Sequence, residues 1–213
     1  MIKKNTIIVV DDHSIFREGI KSLIKLKDTA EVVAEASNGQ EFLDLLPNYQ
    51  PDLVIMDIDM PVMNGIEASK IALEKYPDLN ILALTMFGDE TYYQQMIQTG
   101  VKGFVLKTSK FTELEKAIYE IANGGNYFSN DLLRKIIFKY QPNKDEAKIL
   151  FSDREKEVLD FTCKGMTNEE IANQLNLSVG TVKGYRSKLL EKTTCKNTAS
   201  LIIYAIKNSL VQL

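Results

Sequence analysis

Along roughly the first 125 residues, short apolar runs alternate with longer stretches of helical spacing. Five runs stand out: Thr6–Val10, Val32–Ala36, Leu53–Met56, Ile81–Leu84 and Gly103–Leu106. Each is nearly continuous in apolar character, which is the signature of parallel strands buried on both faces. Between them Phe16, Ile20, Leu23 and Ile24 form one helical stripe, and Phe42, Leu45 and Leu46 a second. Ile66, Ile71 and Leu73, then Tyr93, Met96 and Ile97, and finally Leu114, Ala117, Ile118 and Ile121 supply three more. A β-α repeat of this kind requires right-handed crossovers and predicts an α/β fold with a doubly wound, five-stranded parallel sheet.

The pattern changes near the C-terminus, where four helical segments follow one another. Ser152-Asp153-Arg154-Glu155 and Thr167-Asn168-Glu169-Glu170 are capping-box sequences, and Gly165 closes the first helix. Asn176-Leu177-Ser178 reads as a tight turn, with Ser178 the N-cap of a longer helix from about Val179 to Lys192. A short helix, a three-residue turn and a longer basic helix make a helix-turn-helix plan. A last apolar helix over 198–211 carries Leu201, Ile202, Ala205, Ile206 and Leu210, more apolar surface than a core strip needs, which points to self-association. Gln141-Pro142-Asn143-Lys144-Asp145-Glu146 breaks the apolar pattern as a hinge would. The expected organisation is residues 1–125, a helical linker over 126–148, and a small all-α four-helix domain over 149–213.

Composition narrows the class. The chain has 213 residues, 45% hydrophobic and 26% charged, which excludes disordered and low-complexity proteins. Its two cysteines, Cys163 and Cys195, argue against a disulfide scaffold; they show no metal-ligand spacing, and the single histidine, His13, lies far from them. The N-terminal apolar stretch runs too soon into Asp11 and Asp12 to be a signal peptide or membrane span, so a soluble, cytoplasmic protein with no membrane partner is expected. The formal charge of −3 conceals a division. Residues 1–149 hold 17 Lys and Arg against 22 Asp and Glu, a balance of −5, while residues 150–213 hold 9 against 7, a balance of +2. Lys183, Arg186, Lys188, Lys192 and Lys196 face only Glu191 across one short stretch, a density that attracts phosphate.

In doubly wound sheets, ligands bind beyond the carboxyl ends of the strands. Those ends carry Asp11 and Asp12, Asp57, Thr85 and Lys107. Converging carboxylates repel unless a cation neutralises them, and an all-oxygen donor set favours Mg2+. A carboxylate beside Mg2+ can attack phosphorus to form an aspartyl phosphate, with Lys107 and the Thr85 hydroxyl holding the equatorial oxygens. No Gly-rich phosphate loop is present.

Asp11-Asp12, the stretch from Asp57 through Asn64-Gly65, Leu84-Thr85 and Gly103-Phe104-Val105-Leu106-Lys107 resemble the receiver domain of bacterial two-component response regulators. The resemblance implies the flavodoxin-like strand order 2-1-3-4-5. It implies that Asp57 accepts a phosphoryl group from a histidine kinase, and that Asp12, with Asp11 mostly through water, binds Mg2+ together with the Asp57 carboxylate and the Asp59 backbone carbonyl. Switching would run through Thr85, Phe104 and Lys107, with slow self-dephosphorylation the only enzymatic act. Phe104 lacks the hydroxyl of the usual tyrosine, and the bulky Met86 would narrow the path for water or small phosphodonors.

The C-terminal stretch is similar to the LuxR-type helix-turn-helix, and the two parts together resemble the NarL/FixJ subfamily. Arg154 through Leu159, Gly165 through Ala172 and Ser178 through Lys183 carry the likeness. It implies a homodimer on phosphorylation, a double-stranded DNA partner read in the major groove, and DNA contacts from Thr181, Lys183, Tyr185, Arg186, Lys188 and Lys192. Glu157 takes the place of a structural acid that ties helices together. Gly184 within the recognition helix and Tyr185 in place of the frequent histidine depart from the pattern. Two alternatives stand beside this reading. Asp57-Ile58-Asp59 fits the Asp-x-Asp motif of haloacid-dehalogenase-type phosphatases, although there it ends the first strand. A constitutive DNA binder that has lost its switch is the other.

Overall fold

The computed structural model describes residues 4–86, 90–129 and 149–211, and the chain divides into two compact units, residues 1–123 and 124–213. In the first, β1 (Thr6–Val10), α1 (Ser14–Lys27), β2 (Glu31–Ala36), α2 (Gly39–Tyr49), β3 (Leu53–Asp57), α3 (Gly65–Lys75), β4 (Ile81–Thr85), α4 (Glu90–Thr99), β5 (Gly103–Leu106) and α5 (Phe111–Ala122) alternate as the apolar runs predict. The sheet order is β2-β1-β3-β4-β5-β6, with β1 through β5 paired in parallel. Ile7 to Val10, Leu53 to Met56 and Ile81 to Leu84 are almost wholly buried, as strands covered by helices on both faces must be.

The sixth strand corrects the five-strand expectation. β6, Tyr127–Phe128, lies next to β5, inside the segment expected as a helical linker. The reason is local. Asn123 ends α5, Gly124 takes φ 73, and the returning chain meets the open edge of β5, whose backbone groups need partners. The rest of that linker, with the polar hinge at 141–146, lies outside the described residues.

Side-chain caps fix the starts of several helices. The Asn38 side chain accepts from the Glu41 amide at the head of α2, and Asn64 accepts from the Glu67 amide at the head of α3. In the second unit, α6 (Asp153–Cys163) and α7 (Asn168–Leu175) open with complete capping boxes at Ser152/Glu155 and Thr167/Glu170, as the sequence pattern requires. Asn176 turns left-handed at φ 53, and Ser178 caps α8 (Val179–Thr193) by accepting from the Thr181 amide. α8 packs against α6, α7 and α9 (Thr198–Lys207) around Val158, Leu159, Ile171, Val182, Leu189, Leu201 and Ile202. The last helix is shorter than the expected 198–211, because Ser209 adopts φ 53 and the Leu210 amide donates back to the Ala205 carbonyl. Its apolar residues Leu201, Ile202, Ala205 and Ile206 are buried inside the unit, so most of the surplus taken for a self-association face belongs to the core.

One close approach governs the functional edge of the sheet. The Gly65 amide donates to the Ile58 carbonyl at 2.9 Å, and a β-carbon on Gly65 would lie 2.0 Å from the Asp57 carbonyl oxygen. Gly65→Ala therefore pushes α3 off the end of β3. The expected cost is about 1–3 kcal/mol of folding stability, read from chemical denaturation against wild type.

Candidate functional site

The ends of β1, β3 and β5 deliver three charges to one point. Lys107 Nζ lies 2.6 Å from Asp57 Oδ2 and 2.8 Å from Asp11 Oδ2, and all three side chains are at most 5% exposed. The remaining oxygens are held locally. Asp57 Oδ1 accepts from the Ile58 amide at 2.8 Å, and Asp11 Oδ1 accepts from the His13 amide at 2.9 Å. The Phe16 ring on α1 lies 5.0 Å from the Lys107 ammonium, a cation–π contact that gives the buried cation an apolar wall.

Burial pushes the Asp57 carboxyl up to about 6, and the neighbouring Asp11 charge adds to the rise, while the hydrogen bond from Lys107 works against it. Burial alone would lower Lys107, but hydrogen bonds and charge from Asp11 and Asp57 outweigh it and hold the ammonium above its usual range. Ligand atoms of Asp11, Asp12, His13 and Asp57 all lie within 4.8 Å of one another. Two buried carboxylates share the Lys107 ammonium and half-buried Asp12 lies beside them, so this oxygen-rich donor set fits a hard divalent cation.

Thr85 and Phe104, expected from the sequence to take part in switching, lie on the neighbouring strands β4 and β5. Thr85 ends β4, and its hydroxyl donates to the Met86 carbonyl at 3.1 Å rather than facing the acids. The Lys107 amide donates to the Thr85 carbonyl at 2.7 Å, which ties the two strand ends together. Phe104 is buried and meets Tyr93 edge-on with ring centroids 5.5 Å apart. Asp59 and Met86 are exposed. His13 and Phe16 were not singled out as site residues by sequence. In the sequence Phe16 reads as one position of an apolar helical stripe, and His13 shows no metal-ligand spacing to either cysteine.

On the helical unit, the structure divides the basic residues of α8. Val182, Arg186, Leu189 and Thr193 recur at i, i+4, i+7 and i+11 and are buried. Arg186 is only 8% exposed; its Nε donates to Thr162 Oγ1 at 3.2 Å and its Nη2 to the Met166 carbonyl at 2.7 Å. It is therefore corrected from a DNA contact to a tie between α8 and α6. Thr181 and Lys188 are exposed, Lys183 and Tyr185 half-buried, and a β-carbon on Gly184 would meet nothing within 4 Å. Lys192 bonds Glu155 Oε2 at 2.7 Å, and its ammonium lies 5.9 Å from the Phe151 ring centre. The structural acid is accordingly Glu155 and not Glu157, which is exposed and pairs with Arg154 on its own helix. Glu155 serves both the cap and Lys192, and that pairing holds its carboxyl below the usual range.

Residues 7–119 match the response regulator receiver domain family, and residues 150–205 match the bacterial regulatory proteins of the luxR family. The chain belongs to the response regulators with a LuxR-type DNA-binding domain. It is 33% identical to the transcriptional regulatory protein DegU of Brevibacillus brevis, over 98% of this chain and 96% of that protein. Among solved structures, RcsB of Salmonella typhimurium superposes with a TM-score of 0.59 at 27% identity, covering 95% of this chain and 98% of that one. A second RcsB structure, two dimers bound to two parallel DNAs, gives 0.60 at 25% identity over 95% and 98% of the two chains. The response regulator is thus a two-component transcription regulator, and the phosphatase reading of Asp57-Ile58-Asp59 gives way to it. No helix among the described residues is long and apolar enough to cross a membrane.

Three outcomes follow from this geometry. An acid whose folded-state pKa is raised binds an extra proton when folded, so its charge destabilises the fold as pH climbs from about 4 through 6. Asp57→Asn should raise the melting temperature at pH 7.5, and that gain should shrink toward zero at pH 4, as followed by thermal denaturation across pH. In the helical unit, Arg186→Ala should lose about 2 kcal/mol of stability by circular-dichroism melting. Lys188→Ala should melt as wild type does while lowering the slope of log affinity against log salt by about 1 in DNA titrations.

Proposed function

We propose that Asp57 accepts a phosphoryl group from a phosphohistidine of a sensor kinase, and that this modification controls DNA binding by the second domain. The observation that carries the reading is the Asp57–Lys107–Asp11 arrangement: a buried carboxylate at a strand end, ionised at neutral pH, beside an ammonium that two acids hold charged. One Asp57 oxygen attacks phosphorus as the P–N bond breaks, and the imidazole leaves with that electron pair and takes up a proton. Lys107 then turns from the Asp57 oxygen to a phosphoryl oxygen, and Thr85 rotates its hydroxyl away from the Met86 carbonyl to reach another. Asp11, Asp12 and the Asp57 carboxylate, with the Asp59 carbonyl, would hold Mg2+, whose contribution is neutralisation of charge on the transferring oxygens. Slow hydrolysis of the acyl phosphate would be the domain's only enzymatic act.

The modification adds about −1.5 to −2 charges next to Asp11 and Asp12 and biases the switch. Phe104, which lacks a hydroxyl, is buried edge-on against Tyr93, so repacking of this aromatic pair is the natural relay. The phosphorylated protein is proposed to pair as a homodimer in the cytoplasm. Thr181, Lys183, Tyr185 and Lys188 would enter the major groove of double-stranded DNA, with Lys192 at the end of the helix near the backbone. The DNA-bound dimers of RcsB support this assembly.

The test compares DNA affinity of the unmodified protein, the beryllofluoride-treated protein and Asp57→Asn on a duplex selected from a random pool. Beryllofluoride should tighten binding by about ten-fold in wild type and leave Asp57→Asn unchanged. Equal affinity in all three states would remove phosphorylation from the mechanism.

A further inference from the structure

The only histidine of the chain stands at the mouth of the carboxylate cluster. His13 Nδ1 lies 2.7 Å from Asp12 Oδ1 and 3.3 Å from Asp11 Oδ1, with the imidazole two-thirds exposed. It occupies the N-cap position of α1, yet its side chain makes no capping hydrogen bond. The ring is therefore free of a structural duty to that helix. Two ligand atoms cis to one another on a first-row divalent ion at about 2.1 Å are separated by about 3 Å. The spacings from Nδ1 to both carboxylates bracket that value, so the nitrogen stands at a cis-ligand distance from each oxygen.

We propose that His13 is a metal ligand, and that it turns an oxygen site suited to Mg2+ into one that prefers a divalent transition ion such as Co2+, Ni2+ or Zn2+. The proposal rests on the reading that Asp11, Asp12 and Asp57 hold a divalent cation. Mg2+ gains little from an imidazole, because it is a hard ion that keeps oxygen ligands and water. Transition ions take imidazole readily, and their affinity for mixed nitrogen and oxygen sites rises along the series from Mn2+ to Cu2+. The Nδ1 lone pair goes to the metal, and any proton carried on Nδ1 leaves to solvent. The ion's two charges also balance the carboxylate excess that Lys107 alone leaves. Such an ion competes with Mg2+ for the residues proposed to support phosphorylation, which makes transition-metal supply a second input to the switch.

The experiment is calorimetric titration of the untagged full-length protein with Co2+ and, separately, with Mg2+, for wild type and His13→Asn. The d–d absorption of bound Co2+ reports the nitrogen ligand directly. In wild type, Co2+ should bind more tightly than Mg2+, and Mg2+ should displace it only at large excess. His13→Asn should weaken Co2+ about ten-fold or more and change its visible spectrum, while Mg2+ affinity moves less than about two-fold. Co2+ affinity and spectrum unchanged in His13→Asn would overturn the proposal, including the case in which a cysteine holds the ion. Absence of Mg2+ binding in wild type would instead remove the underlying reading of the carboxylates, an outcome separate from the histidine's role. His13→Gln, longer and still without imidazole, should repeat the Co2+ loss, and its thermal melt checks that α1 is intact.

Discussion

Everything at the functional edge depends on burying negative charge that one ammonium cannot fully balance. Asp57 and Asp11 are taken out of water at the ends of β3 and β1, and Lys107 bridges them from the end of β5. Desolvation of carboxylates is costly, and partial compensation leaves the group ready to bind whatever brings positive charge or spreads negative charge. The sheet makes this tolerable. Its strands are buried on both faces, so the three ends cannot drift apart, and the Phe16 ring walls off the lysine. A rigid scaffold thus holds a charge arrangement that no loop of the same residues would keep.

The second domain solves a different problem with the same economy of residues. A recognition helix must offer cations to DNA while packing against its neighbours through the opposite face. On α8 both demands fall on basic residues. Arg186 lies inward and ties α8 to α6 and to the turn at Met166, whereas Lys188 remains exposed. Lys192 anchors the far end to Glu155, which also completes the cap of α6. One acid therefore links the start of the domain to the end of its reading helix.

The particular successes and failures of sequence reading follow from range. The buried strands were legible because burial on both faces leaves an uninterrupted apolar run, and the capping boxes were legible because both partners lie within four residues. β6 was not, since two residues form a strand only where an open sheet edge receives them. Arg186 was misassigned because charge was weighed ahead of spacing; its recurrence with Val182 and Leu189 was present in the sequence. Glu155 is legible as the capping-box acid, but its second task, the bond to Lys192, joins residues 37 positions apart and shows only in space. The acids of the candidate site were legible as strand-end residues, but His13 was not, because its meaning comes from distances to two neighbours and not from any spacing to another metal-binding residue type.

The division of α8 into an inward row and an outward row carries a consequence for how such regulators diversify. Substitutions at Thr181, Gly184, Tyr185 or Lys188 alter a surface on which little of the fold rests, whereas Val182, Arg186 and Leu189 are committed to the interior. Side chains can therefore change at a handful of outward positions while the architecture stays the same. Gly184 shows this plainly, since a β-carbon placed there would meet nothing within 4 Å and would leave the core where it is.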